Sequence, residues 1–416
     1  MTRNYNLLLG TAALLVATGA QAADMPKAPA REPVYRCDIT GFIELPGTDI
    51  CFKVGGFARF WAGAASDNVS GLGASRNYAW DDIGPNNTFH TTGDTFVMHA
   101  QARLNFDART TTEYGIVRAF IEMQAEDTNA STGGPFNLRH AFIQFGNWTF
   151  GKTDTLFAHG ASAPAKTEFI THIGDPYGRS VQVRYTMPLG NGMTLAVALE
   201  DPAFNQAGDL AVFLAAPPFM GQERDEMPAI VAALAFSGSW GSAQVAAGVR
   251  QNVYAALPLG TFVADREIGW RIDAGANIKV TSAVTLLARA YYSDGFNAHS
   301  SLAIGDIISN AAGVLIADNV EEWMAMIGVA FDVSSDVTVN LSAAFADAEP
   351  GSLVGTGLLG TPDMNGVEVF QVVGSVFWKP VKNLDLGVEV AYTDVDYGVP
   401  VDFNAFSVAF QATRKF

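Results

Sequence analysis

Residues Gly146-Asn147-Trp148-Thr149-Phe150-Gly151-Lys152-Thr153 spell GxxxxGKT, the pattern in which backbone N–H groups and a lysine wrap the phosphates of a nucleotide. That chemistry needs the four middle residues to curl into a loop that opens a helix. Here Trp148 and Phe150 alternate with Thr149 as side chains do on a strand, so the match predicts a turn and a strand rather than a phosphate cradle. Gly355-Thr356-Gly357-Leu358-Leu359-Gly360 spells GxGxxG, but no βαβ unit surrounds it. The six histidines (His90, His99, His140, His159, His172 and His299) show no metal-ligand spacing, and neither HExxH nor GxSxG occurs. Two cysteines are too few for a structural zinc site. The residues therefore predict no enzyme chemistry, no metal and no cofactor, and what they can supply is placed charge.

Charge can be placed only by elements with two distinct faces, and the chain is full of them. In segment 268–280, Ile268, Trp270, Ile272, Ala274, Ala276 and Ile278 alternate with Gly269, Arg271, Asp273, Gly275, Asn277 and Lys279. Segments 94–107 and 384–393 repeat the pattern. At the C-terminus Phe406, Val408, Phe410, Ala412 and Phe416 share one face, interrupted by Arg414, and Ser407, Gln411, Thr413 and Lys415 share the other. Period-2 alternation over ten or so residues predicts strands with one apolar and one polar wall, long enough to cross a bilayer when tilted. On the polar walls lie Arg59, Arg103, Arg118, Arg184, Arg271 and Arg289.

Composition agrees with an exported β protein. Of 416 residues 41 are glycine, and 25 Lys and Arg against 42 Asp and Glu give a formal charge of −17, which argues against nucleic acid as a partner. Residues 1–22 read as a cleaved signal peptide: Arg3, an apolar core over 7–16, then Gly19-Ala20-Gln21-Ala22. Beyond it no run approaches the ~20 apolar residues of a membrane helix. Cys37 and Cys51 lie close together in an exported chain, so one disulfide is expected, closing a loop of about 15 residues and contributing roughly 3 kcal/mol. The organisation expected is residues 1–22 as signal, 23–50 as an N-terminal periplasmic segment and 51–416 as a barrel. Tight links at 109–112, 146–147, 189–192, 238–241, 334–336 and 379–383 alternate with long segments such as 68–93, 201–226, 294–319 and 347–366. That rhythm predicts an all-β, antiparallel, transmembrane β-barrel of about sixteen strands, with short periplasmic turns and long extracellular loops.

Cys37-Asp38-Ile39-Thr40-Gly41-Phe42, the PGT of Pro46-Gly47-Thr48 before Cys51, and Val54-Gly55-Gly56-Phe57-Ala58-Arg59 resemble the opening of the alphaproteobacterial general diffusion porins. Phe150-Gly151-Lys152-Thr153-Asp154-Thr155-Leu156-Phe157 resembles that family's entry into its third loop. The resemblance implies a homotrimeric, sixteen-stranded, water-filled channel in the Gram-negative outer membrane, in contact with membrane lipid and lipopolysaccharide and inserted by the barrel assembly machinery. It implies passive diffusion of small hydrophilic solutes and ions, and makes the terminal Phe416 part of the assembly signal. It also implies that segment 154–179 folds inward as a constriction loop, its Asp154, Glu168 and Asp175 facing the wall arginines across a transverse field. A solute-specific channel, such as one for sugars, and a non-conducting adhesin or structural barrel are the alternatives. Segments 294–319, 347–366 and 394–402 carry acids but no Lys or Arg, so a modest cation preference is expected at the mouth.

Overall fold

The alternating segments do form strands, and they close on themselves. The computed structural model describes residue 37 and residues 39–66, 96–127, 137–159, 164–170, 172–175, 178–202, 222–223, 226–256, 263–296, 307–308, 318–349, 367–396 and 403–416. The expected signal peptide, most of the long loops, the GxGxxG match, and Asp306, Asp363 and Asp402 lie outside the described residues. Sixteen long strands are described: β1 Cys51–Ala65, β2 Phe96–Thr112, β3 Gly115–Glu126, β4 Asn137–Phe145, β5 Trp148–Asp154, β6 Arg179–Gly190, β7 Met193–Glu200 and β8 Ala229–Gly238. They continue as β9 Gly241–Ala256, β10 Val263–Lys279, β11 Val284–Asp294, β12 Glu321–Asp332, β13 Val337–Glu349, β14 Val367–Val381, β15 Leu384–Asp396 and β16 Phe403–Lys415. Each pairs antiparallel with its chain neighbours, and β16 returns to β1 from Phe57↔Lys415 to Ala65↔Ser407, giving a closed barrel with no free sheet edge.

Side-chain direction follows the alternation. On β10, Ile268, Trp270, Ile272 and Ile278 are exposed on the outer wall, whereas Arg271 and Asp273 are buried inside. On β16, Phe406, Val408 and Phe410 point out while Ser407, Gln411 and Thr413 point in. An apolar exterior with a polar interior inverts the soluble pattern and suits lipid outside and water inside.

One boundary differs from the sequence reading. Residues 109–112 are no turn, because the β-branched run Thr110-Thr111-Thr112 extends β2 and the chain reverses at Glu113-Tyr114, with Gly115 at φ +106°. The GxxxxGKT match is the Gly146-Asn147 turn followed by β5, with Gly146 at φ +56°, and β5 is paired on both sides. Before β1, Cys37 and Cys51 are joined in a disulfide with Cα atoms 5.6 Å apart. The two-residue strand Ile43–Glu44 pairs with Phe52 and Cys51, and the Arg109 guanidinium lies 4.8 Å from the Phe42 ring. This arrangement ties residues 37–50 to the turn end of β1 and β2.

The barrel seam is finished by the last residue. Phe416 N–H donates to Gly56 O at 3.1 Å, one rung beyond the last paired position, and its ring is exposed on the outer wall. Deleting Phe416 is expected to reduce several-fold the amount of heat-modifiable, membrane-inserted barrel. Unchanged levels in outer-membrane extracts would remove Phe416 from the assembly signal.

Candidate functional site

After β5 the chain does not return to the rim; it enters the barrel. The described residues of this segment, 155–159, 164–170 and 172–175, bring backbone groups into a polar lumen where they need partners, and the inner wall supplies them. Glu200 on β7 accepts from Thr155 Oγ1 at 2.8 Å and from Leu156 N–H at 3.1 Å. Gln244 on β9 donates to Leu156 O at 2.6 Å, and Ser375 on β14 donates to Ala165 O at 2.9 Å. Glu389 on β15 accepts from Thr167 N–H at 3.1 Å and Thr167 Oγ1 at 2.9 Å. Gln411 on β16 accepts from Glu168 N–H, and Gln371 on β14 from Ile173 N–H, each at 2.9 Å. Phe157, Phe169, Ile170 and Ile173 are fully buried between segment and wall. Phe169 packs on Trp61 and directly against Gly63, where any Cβ would fall 2.3 Å from its ring, so glycine on β1 makes the close approach possible.

The segment therefore lies along β7 to β16 and β1, and the wall of β2 to β6 takes no part in those hydrogen bonds. This asymmetry divides the expected arginines. Arg271 and Arg289 lie beneath the segment, only 1% and 2% exposed. Arg289 donates to Gly174 O at 2.9 Å and Phe157 O at 3.3 Å, and Asp273 holds both guanidiniums, with Arg271 at 2.8 Å and Arg289 at 2.7 Å. Arg59 on β1 pairs with Glu168 of the segment and donates to Gln101 and Thr413, each at 3.0 Å. Arg103, Arg118 and Arg184 stand on the opposite wall. Arg103 meets Gln124 at 2.9 Å and Glu122 at 3.6 Å; Arg118 grips Asp107 with two bonds of 2.9 and 3.0 Å; Arg184 donates to Gln182 at 2.7 Å.

The three acids also separate. Glu168 meets Arg59, while Asp175 pairs with Lys166, within the segment. Asp154, at the end of β5, has a half-exposed carboxylate 3.4 Å from Arg179. Burial alone would raise the Asp175 carboxyl, but the Lys166 ammonium overrides it and holds the group below the ordinary carboxylate value. A depressed value means that this contact is intact above the ordinary carboxylate range and is lost only as pH falls beneath it. His159, on the same segment, is pushed down by burial and by the nearby Arg289, which keeps it neutral at pH 7.

Several wall residues escaped the sequence reading. Arg139 sits at a β-bulge, where the register between β3 and β4 shifts between Glu122 and Met123; the extra residue turns inward and donates to Glu122 at 3.0 Å. A bulge breaks the period of two, so alternation cannot place it. Arg109, hidden by the misplaced turn, shares Asp107 with Arg118. Glu200 is the one acid of β7 and Glu389 one of four on β15, and nothing local marks either as an anchor.

A family model for the porin subfamily matches residues 25–411. Porin Omp2a of Brucella melitensis is 30% identical over 258 residues, which is 57% of this chain, and the chain spans 64% of the length of that relative. Among solved structures, the outer membrane channel DcaP of Acinetobacter baumannii superposes with a TM-score of 0.69 at 22% identity, over 88% of this chain and 97% of that one. The trimer form of OmpT from Vibrio cholerae gives 0.55 at 11%, over 89% and 100%. At those identities the two structures speak for the fold alone, and the fold they share is this one. With the family model matched along nearly its whole length and a closed sixteen-stranded wall that is apolar outside and polar inside, the chain belongs to the porin subfamily of outer-membrane barrels.

Proposed function

We propose that the barrel is a channel for passive diffusion of small hydrophilic solutes and ions, narrowed by the segment between β5 and β6. The observation that carries this reading is the one-sided path of that segment: it is pinned to the β7 to β16 and β1 side and leaves the arginine-bearing wall of β2 to β6 facing it. A solute passes between Glu168 and Asp175 of the segment and Arg103, Arg118 and Arg184 of the facing wall, with Arg59 bonded to Glu168 at the segment's edge and Asp154 beside Arg179 on the arginine wall, and these fixed charges favour polar over apolar cargo. Arg271 and Arg289 act from below, as anchors of the segment. We also read the protein as a homotrimer, seated among outer-membrane lipid and lipopolysaccharide after removal of residues 1–22 and insertion by the barrel assembly machinery. The solved trimer form of OmpT supports that assembly as an analogy of fold.

The test is conductance of the purified protein in a planar bilayer. Stepwise ohmic current in KCl is expected, and a silent barrel would favour the plugged, structural alternative. Neutralising the segment acids together, Asp154→Asn, Glu168→Gln and Asp175→Asn, leaves Arg59 and Lys166 without their carboxylates. The zero-current potential under a KCl gradient is then expected to move toward anions by a several-fold change in permeability ratio, more at low salt. An unmoved potential would show that these acids do not line the narrowest part.

A further inference from the structure

On the lumenal face of β3 and β4, Phe120 and Phe142 are register partners whose rings stack with centroids 5.3 Å apart. His140 meets both edge-on, at 6.0 and 6.3 Å, and the Arg118 guanidinium lies 4.8 and 5.3 Å from the two ring centres. Both phenylalanines are partly exposed, unlike the aromatics beneath the inward segment. Apolar rings on the water side of a barrel wall contribute nothing to burial against lipid, so their placement needs another reason.

The charge beside them is unbalanced. The two oxygens of Asp107 are taken by both Arg109, at 3.0 and 2.8 Å, and Arg118, at 2.9 and 3.0 Å. Two guanidiniums thus share one carboxylate, and the remaining bond of Arg118 goes to the neutral Gln144 Oε1 at 3.0 Å. The ladder row that holds Arg118 runs through Gln144 and Thr149 to Arg184, whose hydrogen bonds go to the Gln182 amide and the Asp154 main-chain carbonyl, with the Asp154 and Glu200 carboxylates as charged neighbours. A ring pair with a surplus positive charge at its edge suits a planar ligand that is itself an anion. The ring would stack on Phe120 and Phe142, and its charge would sit toward the arginines.

We propose that this patch is a subsite for aromatic carboxylates in transit through the lumen. The inference rests on the reading of the barrel as an open channel. An aliphatic carboxylate would gain only the charge, and an aromatic cation only the rings.

The probes are benzoate, cyclohexanecarboxylate and benzylamine, added at pH 7 to single channels conducting KCl. Benzoate is expected to halve the current at about one-fifth, or less, of the concentration that cyclohexanecarboxylate needs. Benzylamine should be weaker still. In a variant carrying Phe120→Leu and Phe142→Leu, which keeps the patch apolar, the benzoate preference should fall to about one while KCl conductance persists. Equal potency of the two carboxylates on the parent would overturn the proposal, as would full preference in the double variant. The parent comparison decides alone should the variant not assemble. A parent that carries no KCl current would instead sink the channel reading, which keeps the two failures apart.

Discussion

Asp273→Asn is expected to be among the most damaging single substitutions in the barrel wall. Asp273 is 4% exposed and is the carboxylate shared by Arg271 and Arg289, which are themselves buried beneath the inward segment. Removing one partner of a buried ion pair leaves uncompensated charge and costs about 3–5 kcal/mol, and here two cations lose the same partner. Arg289 also holds Gly174 O and Phe157 O, so its displacement frees the segment at both points. The expected result is a heat-modifiable barrel that unfolds at markedly lower temperature or denaturant, with noisier open-channel current. Adding Arg271→Leu to the same chain removes one of the two uncompensated cations, returns the cluster to its parent net charge and is expected to recover part of the loss. If the single variant matches the parent in both readings, the Asp273 pair does not anchor the segment. If the double variant is worse than the single, surplus charge is not the cause.

Glu389→Leu tests the middle of the segment by the same logic with a different readout. The Glu389 carboxylate is fully buried; it accepts from the Thr167 amide and hydroxyl and lies 3.2 Å from His172 Nε2. Leucine fills a similar volume but leaves these donors unsatisfied, each at roughly 1–3 kcal/mol. The outer strands keep their ladder, so the barrel is expected to assemble normally while residues 165–170 lose their hold on β15. Single-channel recordings should then show altered mean conductance and frequent sub-states, and limited proteolysis should cut between β5 and β6 faster than in the parent. Glu389→Gln retains one acceptor and should lie between the two. Parent-like currents in the leucine variant would mean that the contacts from Gln371, Ser375 and Gln411 suffice to hold the segment.

Much of this architecture was legible before any coordinates. Strand faces could be read because side-chain direction on a strand is a local property with a period of two, so Ile268 to Lys279 and Phe406 to Lys415 fell to the correct walls. The turns at Gly146-Asn147 and near Asn191 and Asn383, both at positive φ, could be read for the same local reason. Where local chemistry was ambiguous the reading slipped: the threonines after Arg109 suit a strand as well as a turn, and the bulge at Arg139 adds one residue that no alternation anticipates.

The sequence by itself determined strands with an apolar outside, a polar inside and a list of inward charges, because each of those follows from neighbours a few residues apart. Only the tertiary structure decided which inward charges meet. The contacts that do so join residues far apart in the chain: Gly174 to Arg289 across 115 positions, Thr167 to Glu389 across 222 and Glu168 to Gln411 across 243. The path of one segment over the inner wall makes Arg271 and Arg289 buried anchors and leaves Arg103, Arg118 and Arg184 on the wall opposite. All five read alike on their strands, since alternation fixes the face of a side chain and carries no information about what crosses the lumen in front of it.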